Sequence, residues 1–237
     1  MTVVLNKIPK NPIILEGFPG FGLVGTITTE YLVNQLKAEP IGYIELPDIR
    51  PMVAIHEGKL IRPIGLYYDK KTNLLIVHVM TNVEGLEWQL ADALLEVARK
   101  TSAKMLVSVE GVGAPDADTE SHKPYYYTND ATIKKKFDKE NIEELKEGII
   151  LGVTATLLLR TLKQKIVCIF TETHSQLPDS KSAAVTLDVL DKVLGIKVDN
   201  KLLLEQAAAF EEKIKSVVAQ AQQAQETQRK KTLSYFG

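Results

Sequence analysis

Pro12-Ile13-Ile14-Leu15-Glu16-Gly17-Phe18-Pro19-Gly20-Phe21-Gly22-Leu23-Val24-Gly25 decides the fold of this 237-residue chain. Its first part is an unbroken apolar run, which predicts a strand covered on both faces. Its second part is a glycine-rich turn that opens a helix expected over residues 26–36. Strand, tight turn and helix in that order begin a unit whose natural frame is a parallel sheet. Outward from this stretch the pattern repeats. Runs of Ile, Val and Leu predict strands at residues 41–45, 74–79, 104–109 and 165–170. Helical spacing predicts helices over 86–100, with Trp88, Leu90, Leu94, Leu95 and Ala98 on the apolar side, over 148–163, and over 182–194 before Gly195. Residues 52–68 read as paired short strands around Glu57-Gly58-Lys59, which makes the sheet mixed. The expected fold class is therefore an α/β three-layer sandwich with a mixed, mostly parallel sheet, occupying residues 1–200.

Residues 201–237 change character, with no glycine or proline before Gly237. Leu203, Ala207, Phe210, Ile214, Val217, Ala221, Ala224 and Gln228 fall at alternating steps of four and three, an apolar seam. They predict a long C-terminal helix over 203–228, about 39 Å in length. Its first half is expected to pack on the body and its second half to project, and the seam also suits self-association. The chain then closes with Lys231-Thr232-Leu233-Ser234-Tyr235-Phe236-Gly237. Aromatic and apolar groups beside a free carboxylate suit capture by a pocket on another protein. Leu233, Ser234, Tyr235, Phe236 and Gly237 are thus the expected partner-binding residues, a short docking tail; a tail folded back on its own domain is the alternative.

Composition narrows the function classes. Hydrophobic residues make up 45% and charged residues 25%, with a formal net charge of −1. That balance gives no overall basic field for nucleic acid. The runs Lys134-Lys135-Lys136 and Arg229-Lys230-Lys231 read as solvated surface. The apolar region 148–159 is shorter than the roughly 20 residues a bilayer requires, and the N-terminus carries no secretory pattern. A cytoplasmic protein without membrane or nucleic-acid partners is expected. The single cysteine, Cys168, lies in an apolar strand run and reads as an inert core thiol.

Some residue types invite an enzymatic reading. Gly20, Gly22 and Gly25 form a G-x-G-x-x-G, and Glu45 ends the following strand twenty residues after Gly25. Such a pattern supplies a helix N-terminus for pyrophosphate and a carboxylate for ribose. Phe18, Pro19 and Phe21 oppose it, placing bulk where phosphates approach. Glu16, Glu110 and Glu172 each end a predicted strand. Together they could hold Mg²⁺ or raise one another's pKa, or each could face separate backbone donors in its own turn. His174, Ser175 and Asp179 offer triad residue types, but closeness in sequence is no evidence of triad geometry. His56 and His78 are expected to pack or hydrogen-bond, His122 to sit in a polar loop, and Tyr125-Tyr126-Tyr127 to form an amphipathic edge segment.

Residues 17–25 are similar to the strand–turn–helix opening G-F-P-G-x-G-L-V-G of the proteasome assembly chaperone family, in its archaeal branch. Thr171-Glu172-Thr173, Pro178-Asp179 and Lys181-Ser182-Ala183-Ala184 resemble a second block of that family. Leu194-Gly195 with Asp199 resembles the end of its following helix, and Glu110-Gly111-Val112-Gly113-Ala114-Pro115 fits more loosely. The resemblance implies an α/β sandwich that is not an enzyme and uses no cofactor or metal. It implies a homo-oligomer, taken as a tetramer, that binds proteasome α subunits without ATP and docks its tails on the α-subunit ring, as an assembly chaperone or a proteasome-binding factor. Family tails often end in a hydrophobic residue, tyrosine and any last residue. Here Tyr235 stands third from the end, after Ser234, and Phe236 takes the penultimate place. The alternative function is a nucleotide- or metal-binding α/β enzyme built on residues 20–25 and the strand-end glutamates.

Overall fold

The computed structural model describes residues 1–56, 58–113, 122–160, 164–173, 177–205, 209, 213–217 and 219–220. Its strands are β1 (Thr2–Leu5), β2 (Ile13–Gly17), β3 (Glu39–Glu45), β4 (Ala54–His56), β5 (Lys59–Ile61), β6 (Ile64–Asp69), β7 (Leu74–Val79), β8 (Met105–Gly113), β9 (Pro124–Thr128), β10 (Glu143–Glu144) and β11 (Ile166–Thr173). Its helices are α1 (Val24–Gln35), α2 (Glu87–Thr101), α3 (Ala131–Lys139), α4 (Gly152–Arg160), α5 (Ser180–Leu194) and α6 (Lys201–Glu205). Nine strands form one sheet in the order β1-β3-β6-β7-β2-β8-β11-β9-β10, and β4 and β5 make a separate hairpin.

The central strands β7, β2, β8 and β11 run parallel. Antiparallel neighbours flank them, β6, β3 and β1 on one side and β9 on the other, with β10 again parallel to β9. The sheet is thus mixed in equal parts, which corrects the expectation of a mostly parallel one. Connection length gives the reason where β6 meets β7. Only residues 70–73 join them, too few for the crossover that parallel neighbours need, so the chain returns antiparallel.

Side chains alternate across the sheet. Ile14, Leu75, Val77, Leu106, Cys168 and Phe170 enter one core with α2 and α4. Leu15, Ile76, Val107, Val167 and Ile169 enter the other with α1 and α5. The strand period of two therefore fills both helical layers, and the three-layer sandwich follows. α5 is stopped as the sequence predicts, by Gly195 at φ 71°. Cys168 is fully buried, and desolvation followed by the nearby Glu16 and Glu110 pushes its thiol up, as suits an inert core position.

Two helices differ from expectation. The helix of residues 148–163 begins only at Gly152, whose φ of 72° starts α4, while residues 148–151 are not helical. Helix α3 lies outside the expected elements; its N-cap Asp130 accepts from the backbone N–H groups of Thr132 and Ile133, and Phe137 is its one fully buried side chain. Of the C-terminal seam, Leu203 and Ile214 are buried in the core beside α1 and α5, and Val217 is half-buried. Within the span of the expected long helix, α6 and the residues at 209, 213–217 and 219–220 are helical; the residues between and beyond them lie outside the described residues. Ala207, Phe210, Ala221, Ala224 and Gln228 lie outside the described residues.

Candidate functional site

The turn after β2 is shaped by close backbone approach. A Cβ on Gly17 would lie 2.3 Å from the carbonyl oxygen of Gly25, and one on Gly25 would lie 2.5 Å from that of Val109. Gly22 adopts φ 60°, and the space a side chain would need there is filled by Thr173. These glycines let α1 press against β2 and β8 and seat the turn before it against Thr173 of β11; protein atoms occupy the room that a phosphate-cradling loop keeps open. Strand order weakens the dinucleotide pattern further, because β6 and β7 separate Glu45 from β2. Glu45 is exposed and lies 3.4 Å from Arg62.

Strand register brings the three glutamates to the face covered by α2 and α4. Glu16 pairs in register with Ser108, and Glu110 with Phe170, one side-chain step from Glu172. Glu16 is fully buried, and neither of its oxygens has a hydrogen-bond partner among the described residues. Desolvation dominates there and raises Glu16 well above the usual carboxylate range, with Glu110 adding to it. The Ser108 hydroxyl opposes this only in part, being engaged with Thr154 Oγ1 at 2.7 Å. Glu110 accepts from Thr154 Oγ1, and burial raises it to about 7. Glu172 is held differently. It accepts from the Tyr125 hydroxyl at 3.0 Å and from the Lys123 backbone N–H at 3.3 Å. The expectation of backbone donors within each glutamate's own turn is therefore not met: Glu172 draws its donors from the segment entering β9, Glu110 uses a side-chain hydroxyl, and Glu16 has no hydrogen-bond donor among the described residues. Among the described residues, no group of three or more His, Cys, Asp and Glu is arranged to hold a metal ion.

Glu110 and Glu172 open onto a groove of about 1180 Å³ at the carboxyl ends of β2, β8 and β11. In sheets of this kind that end is where ligands collect. Its apolar wall is Phe18, Phe21, Val83, Ile149 and Leu151. Ile149 is 88% exposed, Leu151 75% and Phe21 48%, values that stand out for large apolar side chains. Among the described residues, eight carboxyl groups line the groove against one amino group, that of Lys146. Sequence reasoning missed this surface because Ile149-Ile150-Leu151 looks like helix core; Gly148 and Gly152 flanking it were the available sign of a loop.

The other candidate residues have plainer roles. Asp179 caps α5, accepting from the Ser182 backbone N–H at 3.0 Å and the Thr173 hydroxyl at 2.8 Å; His174 and Ser175 lie outside the described residues. His122 Nδ1 is 2.9 Å from Ser182 Oγ. In the aromatic triple, Tyr126 is fully buried and stacks on Phe137 at 4.0 Å, while Tyr127 is exposed. The triple is thus amphipathic, but β9 lies inside the sheet edge formed by β10. His78 is buried on the α1 side, with Nδ1 3.0 Å from Thr29 Oγ1 and Nε2 3.1 Å from Glu30. Burial lowers the His78 pKa, with Glu30 pulling against it and Lys213 adding to it. Burial raises Glu30, but His78 and Lys213 outweigh it and hold the carboxylate below its usual range. Lys213 reaches Glu30 at 3.3 Å and ties the C-terminal segment to α1.

The profile of the PAC2 family matches residues 14–218. The chain belongs to this family. A PAC2 assignment fits the resemblance read from residues 17–25 and the close-packed glycines found there. An uncharacterized protein of Methanocaldococcus jannaschii, MJ0106, is 27% identical over 216 residues, covering 89% of this chain and 87% of its own. PbaA of Pyrococcus furiosus, an archaeal homolog of proteasome-assembly chaperone, is 28% identical, with a TM-score of 0.84 over 94% of this chain and 99% of its own. PbaB of the same organism, an archaeal proteasome activator, has a TM-score of 0.74 over 91% and 98% at 22% identity, a likeness of fold. No described helix of this PAC2 chain is long and apolar enough to cross a membrane. Leu233, Ser234, Tyr235, Phe236 and Gly237 lie outside the described residues.

Proposed function

We propose that this PAC2 protein is a homo-oligomeric, ATP-independent proteasome assembly chaperone or proteasome-binding factor of the cytoplasm. The observation that carries the proposal is the likeness to PbaA along nearly the whole of both chains at 28% identity. Its body, residues 1–200, acts as a scaffold rather than as an enzyme. The glycines of the first turn serve packing. Residues 201–237 carry the docking tail, and Leu233, Ser234, Tyr235, Phe236 and Gly237 engage the proteasome α-subunit ring. Several tails on one oligomer, taken as a tetramer, raise effective concentration, so individually weak contacts sum to a firm complex.

The test is a pull-down with purified α rings. Removing residues 233–237 is expected to weaken capture at least about tenfold through lost multivalency, with the circular-dichroism melt unchanged. Tyr235→Glu or Phe236→Glu should weaken it too, because a charge in an apolar pocket is costly. Equal capture by the shortened protein would remove the tail from the function.

A further inference from the structure

We propose that the groove at the carboxyl ends of β2, β8 and β11 docks an extended segment of another protein, one in which a lysine or arginine is flanked by large apolar side chains. Charge sets the first requirement. Among the described residues, eight carboxyl groups line the groove against the one amino group of Lys146. Glu143 and Glu144 already hold Lys123 and Lys134, at 2.8 Å and 2.6 Å. Glu110 and Glu147 pair with no cation among the described residues. Glu110 accepts from the Thr154 hydroxyl, and Glu147 stands exposed on the rim. A half-buried carboxylate without a counter-ion is costly to ionise, and a partner's ammonium or guanidinium supplies one.

The wall sets the second requirement. Ile149, Leu151 and Phe21 stand exposed beside Glu110 and Glu172. A bare cation or a small amine would leave these apolar groups in water, whereas apolar side chains flanking a basic one would cover them. Backbone sets the third. Residues 146–149 lie outside helix and strand and make no hydrogen bond to another described residue, so their N–H and C=O groups face an incoming chain unpaired. At about 1180 Å³ the groove also exceeds the roughly 300–1,000 Å³ of pockets built for small molecules.

Glu110 makes the docking depend on pH. Burial raises it to about 7, and a basic partner prefers it ionised. Its ionised share climbs from about one-tenth at pH 6 to about nine-tenths at pH 8, so affinity should rise by up to about tenfold. The other titratable groups on this face are Glu16 from β2, Cys168 and Glu172 from β11, Tyr125 from β9 and Glu87 from α2. All of them remain in Glu110→Gln, so that variant shows which group is responsible.

An array of short synthetic peptides, probed with the full-length protein, tests the proposal. Peptides with one Arg or Lys between pairs of Leu, Ile or Phe should bind at least about tenfold better than two matched sets. One set carries Glu in place of the basic residue, the other Ser in place of the apolar ones. The best binder is then titrated by fluorescence anisotropy. Glu110→Gln with Glu147→Gln, and separately Ile149→Ser with Leu151→Ser, should each weaken it about tenfold with the circular-dichroism melt retained. Glu110→Gln alone should flatten the rise between pH 6 and 8. Binding indifferent to the basic residue, binding unchanged in the groove variants, or a pH rise that survives Glu110→Gln would overturn the proposal. Spermidine competing as strongly as the peptide would make this a small amine's pocket. A fall in particle mass for Ile149→Ser with Leu151→Ser, read by light scattering, would make it the face of a second copy. Either result overturns the proposal too. No proteasome enters the assay, so its failure leaves the proposed function untouched.

Discussion

Glu110→Gln is expected to raise stability at alkaline pH and leave it nearly unchanged in mild acid. Glu110 follows the buried run of β8, accepts from Thr154 and is raised by burial to about 7, against an ordinary value of 4.5. Between pH 4.5 and 7 the folded protein keeps a proton that the unfolded chain has released. Fewer protons bound in the unfolded state means that stability falls as pH rises. The contribution is complete below about pH 4.5 and is lost as pH climbs through the folded value. At about 1.36 kcal/mol per tenfold change in proton affinity, the loss at pH 8 is at most about 3 kcal/mol. Partial exposure of the head group to the groove reduces it. Glutamine keeps an oxygen for the Thr154 hydroxyl and removes the charge. The variant should therefore match the wild type near pH 4.5 and exceed it at about pH 8 by roughly 2–3 kcal/mol. Urea denaturation at both pH values, with matched slopes, measures this directly. A wild-type-minus-variant difference that is the same at both pH values would refute the account.

Two further substitutions probe the frame. Gly25→Ala places a Cβ 2.5 Å from the Val109 carbonyl oxygen, closer than real Cβ atoms approach. It should cost at least about 3 kcal/mol by overpacking, read as a lower midpoint in denaturant or loss of soluble protein. Lys213→Met keeps the apolar stem but removes the cation from Glu30. With the lysine side chain 40% exposed, the expected loss is about 0.5–1 kcal/mol, together with faster exchange in residues 213–217.

Much of the body was legible because its central strands are buried on both faces. Ile13-Ile14-Leu15, Leu74-Leu75-Ile76-Val77, Met105-Leu106-Val107 and Ile166-Val167-Cys168-Ile169 are apolar whichever way they point. The flanking strands are harder. β1 and β9 owe their pairing to distant partners, and β10 is two residues long. α3 escapes detection because Lys134-Lys135-Lys136 occupies its middle and a single aromatic, Phe137, holds it down. The glutamates at the strand ends were visible; their shared face was not, since it depends on register across three strands. The groove was hidden by an apolar triplet, two of whose members face outward. Periodicity reports what could be buried, and only the glycines at 148 and 152 hinted that this triplet is not.

Leu203 and Ile214 sit in the same core as α1 and α5, and Lys213 fastens that stretch to Glu30 and so to His78 on the interior strand β7. The chain is thereby clamped at two separate points within residues 203–217. Tension applied at residue 217 would therefore be delivered through these contacts into the sheet. Engineering follows the same logic: a shortened version cut at residue 200 would leave two holes in the hydrophobic interior, whereas one cut after residue 217 would keep both plugs in place.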